Sequence, residues 1–201
     1  MKVDEVSEVV PVHLEAFAGY MNSRLGVKYV RSFISWFCRA ERSIALVAVD
    51  ETGKVAGYVL GAPVGYDRKL NRDLLWVAAA GLLGHPWLLL RRQIRRAILR
   101  RLKVLVGDVH NIASRPKLPE PTMSLVGIGV ASSAQGTGIG FHLVRAFEHR
   151  AQQLGMRSVL LSVYASNATA RRLYARCGWQ QGLEPSRPSD LMFYSQILHE
   201  D

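Results

Sequence analysis

The chain has 201 residues and is 49% hydrophobic, which suits one domain with an elaboration and a sizeable core. Its formal net charge of +10 ordinarily points to nucleic acid, anionic membrane or acidic substrates as partners. Two cysteines, Cys38 and Cys177, fit neither a metal site nor a disulfide framework, so we expect buried free thiols and a reducing, cytoplasmic setting. The acidic N-terminal residues lack the apolar core of a signal peptide.

Residues 6–37 are predicted to form two helices joined near Gly26. Apolar and aromatic residues recur at helical spacing on both sides of this glycine, first on the face of His13 and Tyr20 and then on the face of Phe33. The N-terminal part of the chain is therefore expected to be helical.

A β-hairpin is predicted next, with strands at 43–49 and 54–63 and a turn at 50–53. Gly57 and Gly61 lie inside the second strand. Glycine within a strand indicates a bulge or a close backbone approach.

Residues 67–118 form an apparent insertion into the domain. Its stretch 74–90 carries no charge, but Gly84, His85 and Pro86 interrupt it. A membrane-spanning helix needs roughly 20 apolar residues without such a break, so we expect two short helices instead.

A run of basic residues follows, with seven arginines and lysines and no acid between 91 and 103. The spacing predicts a basic amphipathic helix over 88–105. Four interpretations are open: a solvated face of a helix packed on the sheet, a contact with anionic lipid headgroups, a lid that supplies arginines to an acidic acceptor, or an oligomer contact. Nucleic-acid binding ranks last because neither interleaved aromatic residues nor a recognition motif accompanies the charge.

The most informative stretch runs from Ser124 to Gly140 and continues into an amphipathic helix over 141–154. Its apolar part, 125–130, predicts a strand, and residues 135–140 have the form Q-x-x-G-x-G. Glycines allow the backbone to approach a ligand, and the N–H groups of a helix N-terminus bind phosphate.

Two further elements follow this turn. Residues 158–164 predict a strand, and residues 167–179 predict a helix that is stopped by glycine. A polar loop at 184–190 leads to a final predicted strand at 191–198.

Three motifs together resemble the GNAT superfamily of acyl-CoA-dependent N-acyltransferases. Val130 is followed five residues later by Q-x-x-G-x-G, residues 167–174 read N-x-x-A-x-x-x-Y, and Cys-Gly-Trp at 177–179 stands where the family usually has C/L-G-F. The resemblance implies one α/β (α+β) domain over 1–201, with a mostly antiparallel mixed sheet that is splayed at the cofactor site and flanked by helices. It also implies a first strand and helix pair near the N-terminus, where polar side chains face an acceptor: His13, Asn22, Ser23 and Arg24.

The activity implied by the resemblance is direct transfer of an acetyl group from acetyl-CoA to a primary amine. The backbone of 136–141 would hold the pyrophosphate, the edge of the strand 125–130 would pair with the pantetheine amides, and an N–H near Val130 would polarise the thioester carbonyl. Tyr174 would be the general acid, and Asn167 would contact the pantetheine arm or cap its helix. The residues implied to bind the cofactor are Ile128, Gly129, Val130, Gln135, Gly136, Thr137, Gly138, Ile139, Gly140, Phe141 and Asn167.

The general base is not identified by the resemblance. Family members often use a glutamate on a central strand, but residues 125–130 contain no acid. Candidates are Glu120, Asp108, His110 and His13, and a chain of water molecules is an equal alternative. The six histidines are scattered, so no metal is expected.

The expected partner is a small-molecule amine, with an amino sugar, in a nucleotide-linked form or free, as the first acceptor to consider. Polyamines fit less well with the positive charge, and protein amines and antibiotics stay open. Dimerisation through the C-terminal strands and a peripheral contact of 88–105 with the inner membrane surface are further expectations. The alternative hypothesis is a non-catalytic acyl-CoA-binding or membrane-surface module that uses helix 88–105.

Overall fold

The computed structural model describes residues 1–18, 20–83, 116–182 and 191–198. The chain begins with three helices, which we name α1 (Val6–Ala16), α2 (Met21–Arg24) and α3 (Val27–Arg39). Gly26 precedes α3 with a φ of 92°, a conformation that favours glycine. The helical prediction for this region is confirmed in part: α1 ends at Ala16, so Tyr20 lies outside it, and the short α2 was not predicted. The expected first strand is wrong, because residues 1–18 contain none.

The predicted hairpin consists of β1 (Ile44–Val49) and β2 (Val55–Pro63). Asp50 Oδ1 closes its turn by accepting hydrogen bonds from the N–H groups of Thr52 and Lys54. A close backbone approach is found at both strand glycines, because a Cβ would lie 3.0 Å from the carbonyl oxygen of Gly129 at Gly57 and 3.1 Å from that of Ser124 at Gly61. The ring of Phe147 lies closer still to Gly61, at 2.4 Å from such a Cβ.

Two helices follow the hairpin: α4 (Tyr66–Asp73) and α5 (Leu75–Leu83). The helix α5 corresponds to the first of the two short helices predicted for 74–90. The second one and the basic helix 88–105 lie outside the described residues, as does the loop 184–190. Within the described ranges, no helix has the length and apolar character needed to cross a bilayer.

The remaining elements carry the motif region. They are β3 (Thr122–Val130), a 3₁₀ turn (Ser132–Ala134), α6 (Ile139–Gln153), β4 (Ser158–Tyr164), α7 (Ala168–Arg176), β5 (Gln180–Gln181) and β6 (Leu191–Ile197). The bounds of β4 agree with the prediction. The two-residue strand β5 was not predicted.

The strands form a six-stranded sheet in the order β1-β2-β3-β4-β6-β5. All neighbours are antiparallel except β3 and β4, which are parallel and pair only over Thr122–Ser124 and Ser158–Leu160. Beyond these pairs the two strands part. The predicted mixed, mostly antiparallel and splayed sheet is therefore confirmed.

A bulge in β3 lies at the point where the strands part. Leu60 of β2 is opposite Gly127, while the next residue, Gly61, is opposite Leu125, so Val126 is the extra residue. A bulge bends its strand and increases the local twist. It therefore helps to direct the second half of β3 away from β4.

Helices cover both faces of the sheet and create two apolar cores. The helices α6 and α7 pack on the face that carries Val59 and Leu125, and α1 and α3 pack on the face that carries Tyr58 and Leu60. The alternation of Tyr58, Val59 and Leu60 between the two cores follows from the period of two in a β-strand. A ligand between β3 and β4 can thus be approached from two sides with different helices.

The two cysteines are free thiols, as predicted, although only Cys177 is buried and Cys38 is half-buried. Burial, with a smaller effect of the neighbouring Glu148, raises the pKa of Cys177 to about 11. Cys177 therefore belongs to the core as a neutral side chain.

Candidate functional site

A cleft of about 270 Å³ opens where β3 and β4 part. Among the described residues, the β4-facing backbone of residues 125–130 has no strand partner, so its N–H and C=O groups are available to a ligand. The described residues that line the cleft include no Asp, Glu, Lys or Arg. They are His13, Phe17, Tyr20, Asn22, Phe33, Leu125, Val126, Gly127, Ile128, Leu161, Ser162, Val163, Tyr164, Asn167, Ala170, Tyr174 and Leu191.

The glycine-rich turn joins β3 to α6 through two left-handed residues. Gly136 has a φ of 81° and Gly138 a φ of 91°. A Cβ on Gly136 would meet nothing within 4 Å, so backbone conformation and not crowding requires glycine here. The surrounding space is open to a ligand that approaches the backbone.

The N-terminus of α6 is a suitable anion site. The N–H of His142 donates to the carbonyl of Gly138, at 3.2 Å. The N–H groups of Ile139, Gly140 and Phe141 come before this bond and have no acceptor within the helix. Such groups, together with the helix dipole, bind phosphate groups.

Two polar side chains hold the turn in shape. Gln135 Nε2 donates a hydrogen bond to the carbonyl of Val130, at 3.3 Å, and Thr137 Oγ1 donates to the carbonyl of Ala134, at 2.7 Å. The side chains of Gln135 and Thr137 thus stabilise the loop whose backbone would contact the ligand.

Asn167 begins α7 and also lines the cleft. Its side-chain oxygen accepts a hydrogen bond from the N–H of Ala170, at 3.1 Å. This is the capping role expected of asparagine before a helix. The contact with a pantetheine arm stays a prediction.

Tyr174 lies on α7 with only 4% of its surface exposed. Its ring lies 5.8 Å from that of Trp179 and 5.7 Å from that of Tyr194. Among the described residues, its hydroxyl has no hydrogen-bond partner. Burial is the main cause that raises the pKa of Tyr174, so the hydroxyl keeps its proton at neutral pH and can donate it.

His13 reaches the same cleft from α1, on the other face of the sheet. Its Nδ1 lies 2.6 Å from the hydroxyl of Tyr58, and its Nε2 is buried without a hydrogen-bond partner in the described ranges. Burial lowers the pKa of His13 to about 4, so its imidazole is neutral at physiological pH. The sequence predicted His13 both as a side chain that faces an acceptor and as one candidate base, but it did not indicate Tyr58, which lies 45 residues further along the chain.

Aromatic rings form a wall across the cleft. The ring of Phe17 lies 5.1 Å from that of Tyr20, which in turn lies 5.7 Å from the ring of Tyr164 on β4. The sequence predicted His13 and Tyr20 on one helical face, but α1 ends at Ala16 and Tyr20 lies outside it. The contact between Tyr20 and Tyr164 depends on the tertiary fold. Tyr20 thus links the two sides of the cleft.

Several other predicted residues lie elsewhere. Glu120 is exposed and is not part of the cleft lining, whereas Asp108 and His110 lie outside the described residues. Asn22 lines the cleft as expected, but Ser23 and Arg24 do not. In the described parts of the chain, no three His, Cys, Asp or Glu side chains come together in a way that could hold a metal ion.

The chain belongs to the Acetyltransferase (GNAT) family, whose model matches residues 13–179. A stretch of 63 residues is 40% identical to a mycothiol acetyltransferase from Parafrankia sp. (strain EAN1pec), covering 31% of this chain and 20% of that protein. The chain thus spans about a fifth of the length of this relative.

Two solved structures support the fold. The crystal structure of SsHAT has a TM-score of 0.66 at 22% identity, with 100% of this chain and 96% of that chain covered. The structure of yncA, a putative acetyltransferase from Salmonella typhimurium with its cofactor acetyl-CoA, has a TM-score of 0.58 at 14% identity, with 100% of this chain and 92% of that chain covered.

Proposed function

We propose that this protein transfers an acetyl group from acetyl-CoA to a primary amine of a small molecule. The observation that carries the proposal is the cleft between the parted strands β3 and β4, with Tyr174 in its lining and the N-terminus of α6 following the end of β3. Family membership supports acyl transfer, and the yncA structure with acetyl-CoA supports the choice of cosubstrate.

The described residues fit acetyl-CoA. The open backbone at Gly136 and Gly138 and the free N–H groups at the start of α6 suit the pyrophosphate. The unpaired edge of β3 suits the two amides of the pantetheine arm, since an extended chain with amide groups can pair with a strand edge. When bound there, acetyl-CoA supplies a thioester-activated acetyl group.

The chemistry requires one bond to form and one to break. The amine nitrogen bonds to the acetyl carbon, the carbon–sulfur bond breaks, and the sulfur takes up a proton. Tyr174 is the proposed donor of that proton, because this residue lines the cleft and its protonated hydroxyl has no other partner in the described structure. A backbone N–H near Val130 is the proposed hydrogen-bond donor to the thioester oxygen.

The nitrogen must also lose a proton. His13 is the only one of the four candidate bases that lies in the cleft within the described residues. Its low pKa makes it a weak base for an ammonium ion, so water in the cleft is the proposed route for this proton.

We propose an amino sugar as the first acceptor to test. Aromatic rings at the cleft wall suit the apolar face of a sugar ring, and Asn22 and Ser162 offer polar contacts to hydroxyl groups. The alternative, a non-catalytic module that binds acyl-CoA, predicts binding without turnover.

The experiment that tests the proposal is release of free CoA thiol from acetyl-CoA with a panel of amines that includes glucosamine, amino alcohols and alkylamines. Amine-dependent thiol release, with an N-acetylated product found by mass spectrometry, is the expected result. Binding of acetyl-CoA without release for any amine would favour the non-catalytic alternative.

A further inference from the structure

The buried pair His13 and Tyr58 has no role in the chemistry described above. His13 is 4% exposed and Tyr58 is 0% exposed, and the contact between Nδ1 and the hydroxyl is 2.6 Å. The other ring nitrogen, Nε2, is buried and has no hydrogen-bond partner within the part of the chain that the structure describes, although His13 lines the cleft. A buried polar atom without a partner is costly unless a ligand satisfies it.

The sheet fixes the position of Tyr58 and, through it, that of the imidazole. Tyr58 on β2 is opposite Gly129 on β3. A Cβ on Gly129 would lie 2.6 Å from the Tyr58 ring, so this glycine leaves the room that the ring occupies. Phe17 stacks on the imidazole with ring centroids 4.9 Å apart, and Phe33 packs at 5.8 Å. The imidazole is therefore held on several sides.

The need of the buried Tyr58 hydroxyl for a hydrogen-bond acceptor indicates which tautomer of His13 is present. The hydroxyl of Tyr58 is buried and has only His13 as a partner in the described structure. If Nδ1 carried the proton, the phenolic hydrogen of Tyr58 would have no acceptor. If Tyr58 donates to Nδ1 instead, this contact is satisfied and the proton lies on Nε2. The neutral state, which burial favours by lowering the pKa of His13, allows this arrangement.

We propose that the Nε2–H group of His13 donates a hydrogen bond to an oxygen atom of the acceptor, close to the amine that is acetylated. This inference rests on the proposed function. The class of acceptor that it selects is an amine with a hydroxyl or carbonyl oxygen on a neighbouring carbon, as in amino sugars and amino alcohols. A plain alkylamine leaves the Nε2–H group buried without a partner.

The position of His13 assigns it to the acceptor and not to the cofactor. The helix α1 packs on one face of the sheet, whereas α6 and α7 pack on the other. The proposed phosphate site at the N-terminus of α6 and Tyr174 on α7 belong to this second face. A cofactor held by α6 and by the edge of β3 enters from the second face. The amine then reaches the thioester from the first face, where His13 and the rings of Phe17 and Tyr20 line the cleft.

The tautomer can be measured without any substrate. Protein with ¹⁵N-labelled histidine is examined by long-range ¹H–¹⁵N correlation spectra at neutral pH, and His13→Gln identifies the signal. We expect the neutral form with its proton on Nε2. A neutral ring with its proton on Nδ1 would overturn the proposal.

Acceptor selectivity is measured with 2-aminocyclohexanol and cyclohexylamine, which differ by one hydroxyl. We expect wild-type kcat/KM to favour the amino alcohol by about 10-fold or more, because a site built to hydrogen-bond an oxygen disfavours an analogue that lacks it. In His13→Phe this ratio is expected to fall to near 1, and His13→Gln, which keeps an N–H donor, should recover part of it. The exposed His149→Gln serves as the matched control with an unchanged ratio.

The readouts separate failure of this inference from failure of the proposed function. Stabilisation by acetyl-CoA confirms that each variant is folded and binds the cosubstrate. A folded His13→Phe variant that keeps the wild-type ratio would overturn the inference, as would a wild-type ratio near 1. If the wild type acetylates neither amine although acetyl-CoA stabilises it, the proposed function fails, and the inference that rests on it fails with it, whatever the tautomer of His13.

Discussion

Tyr174→Phe removes the proposed proton donor while it preserves the packing of the ring. The aromatic contacts to Trp179 and Tyr194 do not involve the hydroxyl, and that hydroxyl has no hydrogen-bond partner in the described structure. We therefore expect a change in the free energy of unfolding of less than about 0.5 kcal/mol, because no hydrogen bond within the described protein is lost. A positioned acid contributes about 10²- to 10⁴-fold to a rate, so kcat should fall by that factor.

Tyr194→Phe is the matched control, since it removes a hydroxyl from the neighbouring ring. The hydroxyl of Tyr194 donates to Gln181 Oε1, at 3.0 Å, so this variant should lose about 0.5–1.5 kcal/mol of stability and keep its kcat. Rates are measured by thiol release with the best amine of the panel, and stabilities by urea unfolding. A fall in kcat of less than about 3-fold in Tyr174→Phe would refute the role of this hydroxyl as general acid.

Two further predictions concern stability. Because burial lowers the pKa of His13 from 6.5 to about 4, the folded state binds fewer protons than the unfolded state between these values. This contribution to the free energy of unfolding is fully present above pH 6.5, and about 3 kcal/mol of it is lost as the pH falls to 4. Urea unfolding at the two pH values should therefore show a smaller loss of stability for His13→Gln than for the wild type. Equal losses would contradict the low pKa of His13. In Gly61→Ala, the added Cβ would lie 2.4 Å from the buried Phe147 ring, so we expect the free energy of unfolding in urea to fall by about 1–3 kcal/mol. An unchanged urea midpoint would show that the ring can move aside.

The sequence predicts elements well where local signals mark their ends. Asn167 caps α7 and Gly178, with a φ of 85°, follows its end, so capping and glycine chemistry define this helix. The strand β4 reads SVLLSVY, and its two valines, two leucines and tyrosine identify it as a strand without tertiary information. By contrast, β5 has two exposed glutamines and exists only through its pairing with β6.

The candidate site was predicted only in part because its halves come from distant segments. The cradle around Gly136 and Gly138 is a local motif and could be found in the sequence. The contact between His13 and Tyr58 and that between Tyr20 and Tyr164 join residues whose meeting depends on the packing of α1 and the parting of β3 and β4. The bulge at Val126 likewise depends on the pairing register with β2 and has no local signal.

The central claim is that the turn at 136–141 and the edge of β3 bind acetyl-CoA, and its most direct test is thermal unfolding with and without acetyl-CoA. A ligand at a hundredfold excess over its dissociation constant stabilises by about 2.7 kcal/mol, which for a chain of this size raises Tm by about 5 to 10 °C. Gly138→Ala should reduce this shift, because an added Cβ is strained at a φ of 91° in the cradle. Gly155→Ala places the same strain at the other end of α6, where φ is 71°, and should keep the shift. No shift in the wild type, or an equal shift in both variants, would contradict the account.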